Sequence, residues 1–80
     1  MSIRTANTAK AKLIYNKNKD TYRIIVAFNV TERNKQGSLK FPTKPDFVSG
    51  DIIYEDLEND VNRIMENARQ VLRTDNIQFV

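Results

Sequence analysis

The side chains best able to do chemistry are the lysines and arginines in the first half of the chain. Residues 1–45 carry ten basic side chains and two acidic ones, a net charge of +8, whereas residues 46–80 carry three arginines and eight acids, a net charge of −5. Lysine and arginine side chains on one surface bind phosphates and release counterions from nucleic acids. The uneven charge therefore predicts a nucleic-acid or other anionic partner for the basic half.

A second group of charged side chains could support a different chemistry. Five carboxylates lie close together between positions 51 and 60, and paired carboxylates can act as acid and base or hold Mg²⁺. Acids in the first turn of a helix also satisfy the helix dipole, which is the interpretation we favour. The chain contains no histidine, the commonest general base, and no cysteine, the source of thiolate ligands. We therefore predict no catalytic residues, no metal site and no cofactor, in a protein that is not an enzyme.

One domain must position these side chains, because 80 residues can form only a single small core. Apolar and polar residues alternate over residues 9–15 and 22–30, the period of half-buried strands, and the polar residues between them predict a hairpin turn. The pattern at residues 39–41 predicts a third short strand, so that the predicted sheet covers residues 9–41. The apolar, β-prone residues 51–55 predict a fourth short strand. The segments without a clear period are assigned as a flexible arm at 1–8, a loop at 42–50, and an edge strand or merely packed chain at 77–80.

A long helix is predicted over residues 56–73, because apolar residues recur there at spacings of three and four. Asp56 is the expected N-cap, and Asn76 is expected to end the region in a left-handed conformation. Strands followed by one helix predict an α+β fold. We expect a three- to four-stranded antiparallel sheet with one long C-terminal amphipathic helix packed on one face.

The other face of this sheet is predicted to be open and basic. Strand alternation places four cations there, which we interpret as nucleic-acid contacts: Lys10, Lys12, Arg23 and Lys40. A solvated strand surface that discourages edge pairing is the plainer alternative. Ile25 and Ala27 would lie exposed among these cations and could contact a second subunit, unless a loop or the N-terminal arm covers them. The aromatic residues on these strands are assigned to the core rather than to base stacking: Tyr15, Tyr22, Phe28 and Phe41.

Three stretches of the sequence resemble a known family. They are YRIIVAFNVTE, FPTKP and DIIYEDLENDVNRIMENA, which begin at residues 22, 41 and 51. In order and spacing they are similar to the second strand, the proline turn and the helix of the stage V sporulation protein G (septation regulator) family of small bacterial nucleic-acid-binding proteins. The resemblance implies a dimeric DNA- or RNA-binding regulator whose contacts include a turn lysine and a helix arginine, here Lys44 and Arg63. The chain departs from the family at residues 31–38, where the family has another long strand that helps to pair its subunits.

Arg63 also has a structural interpretation. Its spacing on the helix allows an ion pair with neighbouring acids such as Asp60 or Glu66. If Arg63 pairs with an acid of its own helix, it is less available to bind a phosphate.

Two functions follow from these observations. The first is a small, non-enzymatic, regulatory nucleic-acid-binding protein that contacts phosphates through the basic sheet face, with DNA favoured over RNA. The alternative is a small phage or mobile-element protein that binds and inhibits a host protein. The longest apolar run has five residues, which is too short to span a membrane, and no signal peptide is evident at residues 1–10, so we expect a cytoplasmic protein. A homodimer is left open by the sequence.

Overall fold

The computed structural model describes residues 9–80 and shows an α+β fold. The predicted arm at residues 1–8 lies outside the described residues. A four-stranded sheet carries one long helix near the end of the chain. The elements in chain order are β1 (Ala9–Asn16), β2 (Thr21–Phe28), β3 (Phe47–Val48), α1 (Tyr54–Leu72) and β4 (Ile77–Phe79).

The two long strands form the predicted hairpin. β1 pairs antiparallel with β2 from Ala9 opposite Phe28 to Asn16 opposite Thr21. The Asn16 side-chain oxygen accepts hydrogen bonds from the backbone N–H groups of Asn18 and Lys19, which is how Asn stabilises tight turns. The period-two pattern and the polar turn were sufficient to predict this unit.

The sheet differs from the prediction at its two edges. The strand order is β3-β2-β1-β4, and β4 runs parallel to β1, so the sheet is mixed rather than purely antiparallel. β3 lies within the segment predicted to be a loop. The strand predicted at residues 39–41 is wrong, since Leu39 forms only a single bridge with Arg33, and the strand predicted at residues 51–55 reduces to one bridge between Ile52 and Tyr22.

The helix is longer at its start than the sequence indicated. α1 begins at Tyr54, and its N-cap is Ile53, which makes no side-chain hydrogen bond; the expected N-cap, Asp56, is inside the first turn. The helix ends at Arg73 in the left-handed conformation, with its N–H donating to the Arg69 carbonyl, so Asn76 is not the cap. The bridge at Ile52 explains the early start, because it fixes the chain against β2 immediately before the helix.

The main core lies between α1 and one sheet face. Alternate residues of β1 and β2 are buried against the apolar stripe of the helix, as the two periodicities predicted. The fully or nearly buried members are Ala9, Ala11, Ile24, Val26, Ile52, Met65 and Ala68.

The opposite sheet face is covered, which corrects the expectation of an open face. Ile25 is 7% exposed and Ala27 is 0% exposed, although both point away from the helix. Residues 29–46, here called the cover segment, connect β2 to β3 and contribute Phe41, whose ring centroid lies 5.9 Å from Lys12 Nζ on this face. Ile25 and Ala27 are therefore interior residues rather than an exposed contact for a second subunit. Within residues 9–80, no helix has the length and apolar character needed to cross a bilayer.

Candidate nucleic-acid interface

A basic groove lies between β1 and the cover segment. Its lining residues are Lys10, Lys12, Arg33, Ser38, Leu39 and Val80, and it encloses about 490 Å³. Two of the predicted contacts, Lys10 and Lys12, lie here together, as their positions two residues apart on one strand face require. Within residues 9–80, no Asp or Glu side chain lines it. We call this feature the basic groove.

The strand and its neighbours hold both lysines in place. Lys10 pairs with Gln78 in the β1–β4 register, and its Nζ donates to the Gln78 side-chain oxygen at 2.9 Å. The Lys12 ammonium lies over the Phe41 ring, an attraction between a cation and the negative face of an aromatic ring. Both residues are half-buried and line the groove.

Arg33 completes the groove and was missed by the sequence analysis. The cover segment folds back on itself there: Asn34 N–H donates to the Ser38 carbonyl, and Gly37 has a φ of 87°, a conformation that suits glycine. The Arg33 guanidinium donates to the Gly37 carbonyl at 2.7 Å. Asn34 followed by Gly37 is the signal that could have revealed this turn, and with it the return of Leu39 alongside Arg33.

Arg23 lies apart from the groove, near the hairpin end of β2. Its Nε donates to Asp51 Oδ1 at 2.7 Å, and Lys19 Nζ lies 3.6 Å from the other carboxylate oxygen. The hydrogen bond from Arg23 lowers the pKa of Asp51 below its ordinary value, with the nearby positive charges of Arg23 and Lys19 acting in the same direction. The charge of this predicted contact is partly neutralised within the protein.

Lys40 and Lys44 are exposed on the cover segment. Lys40 lines a neighbouring depression together with Glu32 and Phe41 rather than the basic groove itself. Its backbone N–H donates to the Glu32 carbonyl at 2.8 Å, which extends the small folded loop around Gly37. Both lysines belong to the segment that covers the Lys12 face of the sheet.

Arg63 is not brought together with the other predicted contacts. It lies on α1, which packs on the sheet face opposite Lys10 and Lys12, and its guanidinium donates to Asp60 Oδ1 at 2.9 Å. Arg69 lies 3.8 Å from Glu66 in a second ion pair of the same helix. The ion-pair interpretation of these arginines is therefore the one seen in the structure.

The aromatic residues are less buried than predicted. Tyr15 and Tyr22 lie on the helix side of the sheet with ring centroids 5.0 Å apart, and Tyr54 of α1 lies 6.1 Å from Tyr22. Tyr15 is half exposed, so its assignment to the core is wrong, while Tyr22, Phe28 and Phe41 are partly buried. Tyr15 donates a 2.6 Å hydrogen bond to Asp20, and this bond raises the pKa of the Tyr15 phenol. The reason for the exposure is that the tyrosines lie at the hairpin end, away from the buried residues of α1, Met65 and Ala68.

The described residues contain no cluster of three or more acidic side chains placed to hold a metal ion. Asp56, one of the carboxylates considered for such a site, lies with Glu55 in the first turn of α1, where both carboxylates complement the helix dipole. Comparison with protein families, with curated proteins and with solved structures finds no match to this chain. An assignment of function therefore depends on the geometry and charge of the surface.

Proposed function

We propose that this protein is a small, non-enzymatic nucleic-acid-binding domain that contacts phosphates through the basic groove. The proposal depends on one observation: Lys10, Lys12 and Arg33 converge on one groove, and the described residues that line it include no Asp or Glu. Three cations from two separate parts of the chain are held there by specific contacts with Gln78 and Phe41 and by the Gly37 turn.

The chemistry of the groove suits a phosphate backbone. Lys10 and Lys12 are separated by roughly 7 Å along the strand, so each can contact a different phosphate of one strand. Arg33 adds a planar guanidinium that can donate two parallel hydrogen bonds to one phosphate. Lys40 and Lys44 extend the contact along the cover segment, whereas Arg23 and Arg63 contribute little because each is paired with an aspartate.

The resemblance to the stage V sporulation protein G family supports a regulatory role and a homodimer as the binding unit. We further propose that the protein acts in the cytoplasm and binds DNA in preference to RNA. The same resemblance assigns Arg63 to the contact, whereas the basic groove assigns Lys10, Lys12 and Arg33. The two assignments make opposite predictions for an Arg63 variant, which therefore discriminates between them.

Binding to labelled single-stranded and duplex DNA and RNA, measured between about 50 and 200 mM salt, tests the proposal. Affinity should fall steeply as salt rises, and the triple variant Lys10→Gln, Lys12→Gln, Arg33→Gln should lower the salt slope by about three. Arg63→Gln is the matched control and should leave the slope unchanged. No binding at low salt, or equal loss in the control, contradicts the proposal, and light scattering of the same samples reports the oligomeric state.

The alternative function, a phage or mobile-element protein that binds and inhibits a host protein, is favoured by one specific observation. Leu13, Ile14 and Tyr15 are consecutive exposed apolar residues on β1. Exposed apolar residues grouped in this way are typical of protein contacts. Retention of one host protein after nuclease treatment of a bacterial lysate would support this function over the first.

A further inference from the structure

In the described part of the chain, half of β1 is a free edge of the sheet. β4 pairs with Ala9 through Ala11, and the last hydrogen bond of this ladder runs from the Val80 N–H to the Ala11 carbonyl. Beyond that point, residues 12–16 pair with β2 on one side and have no strand beside them on the other within the described chain. We call residues 12–16 the free edge.

The backbone groups that face outward along the free edge can be identified. Ala9 donates to Asn76 and Ala11 accepts from Val80, so the backbone groups of the odd-numbered β1 residues point toward the β4 side. The direction alternates along a strand, which places the N–H and C=O groups of Leu13 and Tyr15 on the same side. The groups of Lys12 and Ile14 point to β2 instead, opposite Ile25 and Arg23.

The side chains at the free edge are unusually apolar for an exposed position. Leu13 is 39% exposed, Ile14 is 40% exposed and Tyr15 is 50% exposed. An edge with unpaired backbone groups and apolar side chains is a template for a further strand, and proteins commonly protect such edges with charge or cover them. Here the apolar side chains lie on both faces beside the unpaired groups, which favours an added strand over a solvated edge.

The charge around the free edge indicates what kind of strand fits. Lys10, Lys12 and Arg33 lie at one end. At the hairpin end Lys17 is exposed, whereas Lys19 is paired with Asp51 and the Asp20 carboxylate accepts the hydrogen bond of Tyr15. The unbalanced positive charge is therefore at the groove end of the free edge. A second copy of this chain would bring the same cations against them, at a Coulombic cost. An acidic segment is complementary to the groove end of this edge, where Lys10, Lys12 and Arg33 lie without an Asp or Glu among the described lining residues.

We propose that the free edge of β1 is a strand-addition site for an extended, acidic segment of a partner protein. The backbone of the added segment exchanges hydrogen bonds with Leu13 and Tyr15, as in other cases of recognition by strand addition. Its alternate apolar residues contact the Leu13 and Tyr15 side chains on the helix side. Its acidic residues face Lys12 and the adjoining basic groove on the other side.

The test uses the full chain and a probe peptide, acetyl-Glu-Val-Glu-Val-Glu-Val-Glu-amide. Amide hydrogen exchange of each β1 residue is followed by NMR with and without saturating peptide. The amides of Leu13 and Tyr15 should become protected by about tenfold or more, while those of Lys12 and Ile14, already bonded to β2, should change little. This alternation is the signature of a paired strand and is not expected from charge attraction alone.

Two controls distinguish strand pairing from charge attraction alone. A peptide of the same sequence with every backbone nitrogen methylated retains the charge, but it cannot donate hydrogen bonds and its N-methyl groups keep a neighbouring strand from approaching its carbonyls. It should therefore give no alternating protection. The variant Leu13→Pro removes an outward N–H that β2 does not use, so it should weaken binding of the unmodified peptide while circular dichroism reports an intact fold. If this variant unfolds, the comparison of the methylated with the unmodified peptide still tests the proposal.

Three results would overturn the proposal. The first is chemical-shift change confined to Lys10 and Arg33 without protection at Leu13 and Tyr15, which would mean that the peptide binds the basic groove as a simple polyanion. The second is protection that rises with protein concentration in the absence of peptide, which would identify a second copy as the occupant. The third is equal binding of the methylated peptide. None of these results bears on nucleic-acid affinity, which the salt titration measures separately.

Discussion

The two faces of the sheet are covered in different ways. One face packs against α1, a regular helix whose apolar stripe matches the alternating small and branched residues of β1 and β2. On the other face the cover segment, residues 29–46, contributes Phe41, Leu39 and Arg33 to the surface around the two β1 lysines, with only one isolated bridge within the segment. The regular layer carries the main core. The irregular layer borders the basic groove.

This difference indicates that one face mainly stabilises the fold, whereas the other mainly positions the side chains of the basic groove. The regular face holds most of the buried apolar side chains, and burial of apolar side chains is the dominant source of stability. The irregular face positions cations through a few polar contacts, such as the hydrogen bond from Arg33 to the Gly37 carbonyl. Substitutions on the first face should therefore affect folding most, and substitutions on the second should affect the groove.

The largest effect is expected from Ile24→Ala on the helix-covered face. Ile24 is fully buried, so the substitution should lower the free energy of unfolding by about 2–5 kcal/mol, through lost burial and the cavity left behind. A domain of this size has only roughly 3–5 kcal/mol available, so much of the variant should be unfolded. Urea unfolding followed by circular dichroism measures the change. Ile53→Ala, at an exposed position, is the control, and a similar loss there would contradict the assignment of the core.

A smaller effect is expected from Ile25→Ala on the other face. Ile25 is nearly as buried as Ile24, but its cover is an irregular segment that can close partly over the cavity, so we expect a loss of about 2 kcal/mol. The same urea experiment compares the two neighbouring residues directly. A loss equal to or greater than that of Ile24→Ala would show that the cover segment is as rigid as the helix, and the comparison between the faces would then fail.

The elements that could be predicted from the sequence are those with a sustained period. β1, β2 and α1 each repeat an apolar pattern over many residues, and their pairing and the helix-side core followed from it. β3 has two residues and no period, so a pattern could not distinguish it from a loop. Its place beside β2 is fixed instead by tertiary contacts, such as the Ser49 hydroxyl that accepts a hydrogen bond from the Ile24 N–H at 2.8 Å.

The candidate site was only partly predictable for the same reason. Strand alternation correctly placed Lys10 and Lys12 on one face. It could not place Arg33, whose position depends on a turn within an irregular segment, and it could not show that Arg23 is held by Asp51, a residue 28 positions away. Charge counts identify basic regions, but ion pairs formed in the folded chain decide which cations are available.

Gly37→Ala tests whether the turn in the cover segment sets up the groove. Gly37 has a φ of 87°, which alanine adopts at a cost of roughly 1–2 kcal/mol. We expect a modest loss of stability together with displacement of Arg33 and weaker, less salt-dependent nucleic-acid binding. Gly50→Ala is the matched control, because Gly50 has no positive φ and an added Cβ would meet open space. Unchanged nucleic-acid binding by Gly37→Ala, with the fold intact, would show that the Gly37 turn is not needed to form the basic groove.

The smallest effect is expected from the ion pair between Arg23 and Asp51, which links β2 to the chain just before α1. The pKa of Asp51 is lower in the folded protein than its ordinary value of 3.8, because Arg23 donates a hydrogen bond to the carboxylate. A carboxylate with a lowered folded pKa stabilises the fold above its unfolded pKa, and this contribution disappears as the pH falls through the folded value. Asp51→Asn should therefore lower the urea midpoint slightly at pH 7, and the difference from the natural chain should shrink and vanish as the pH falls through the lowered pKa of Asp51.

The salt and pH dependence of the difference between Asp51→Asn and the natural chain shows whether Asp51 stabilises the fold through its charge or through packing. Both partners are partly open to water, so added salt should reduce the difference at pH 7. Asp75→Asn is the control, because Asp75 is exposed and forms no ion pair within the described residues. A difference that does not shrink as the pH falls below the ordinary pKa of Asp51 would mean that Asp51 acts through packing rather than charge. In that case the region around Arg23 would resemble the helix-covered face, where shape determines stability, more than the groove, where charge determines binding.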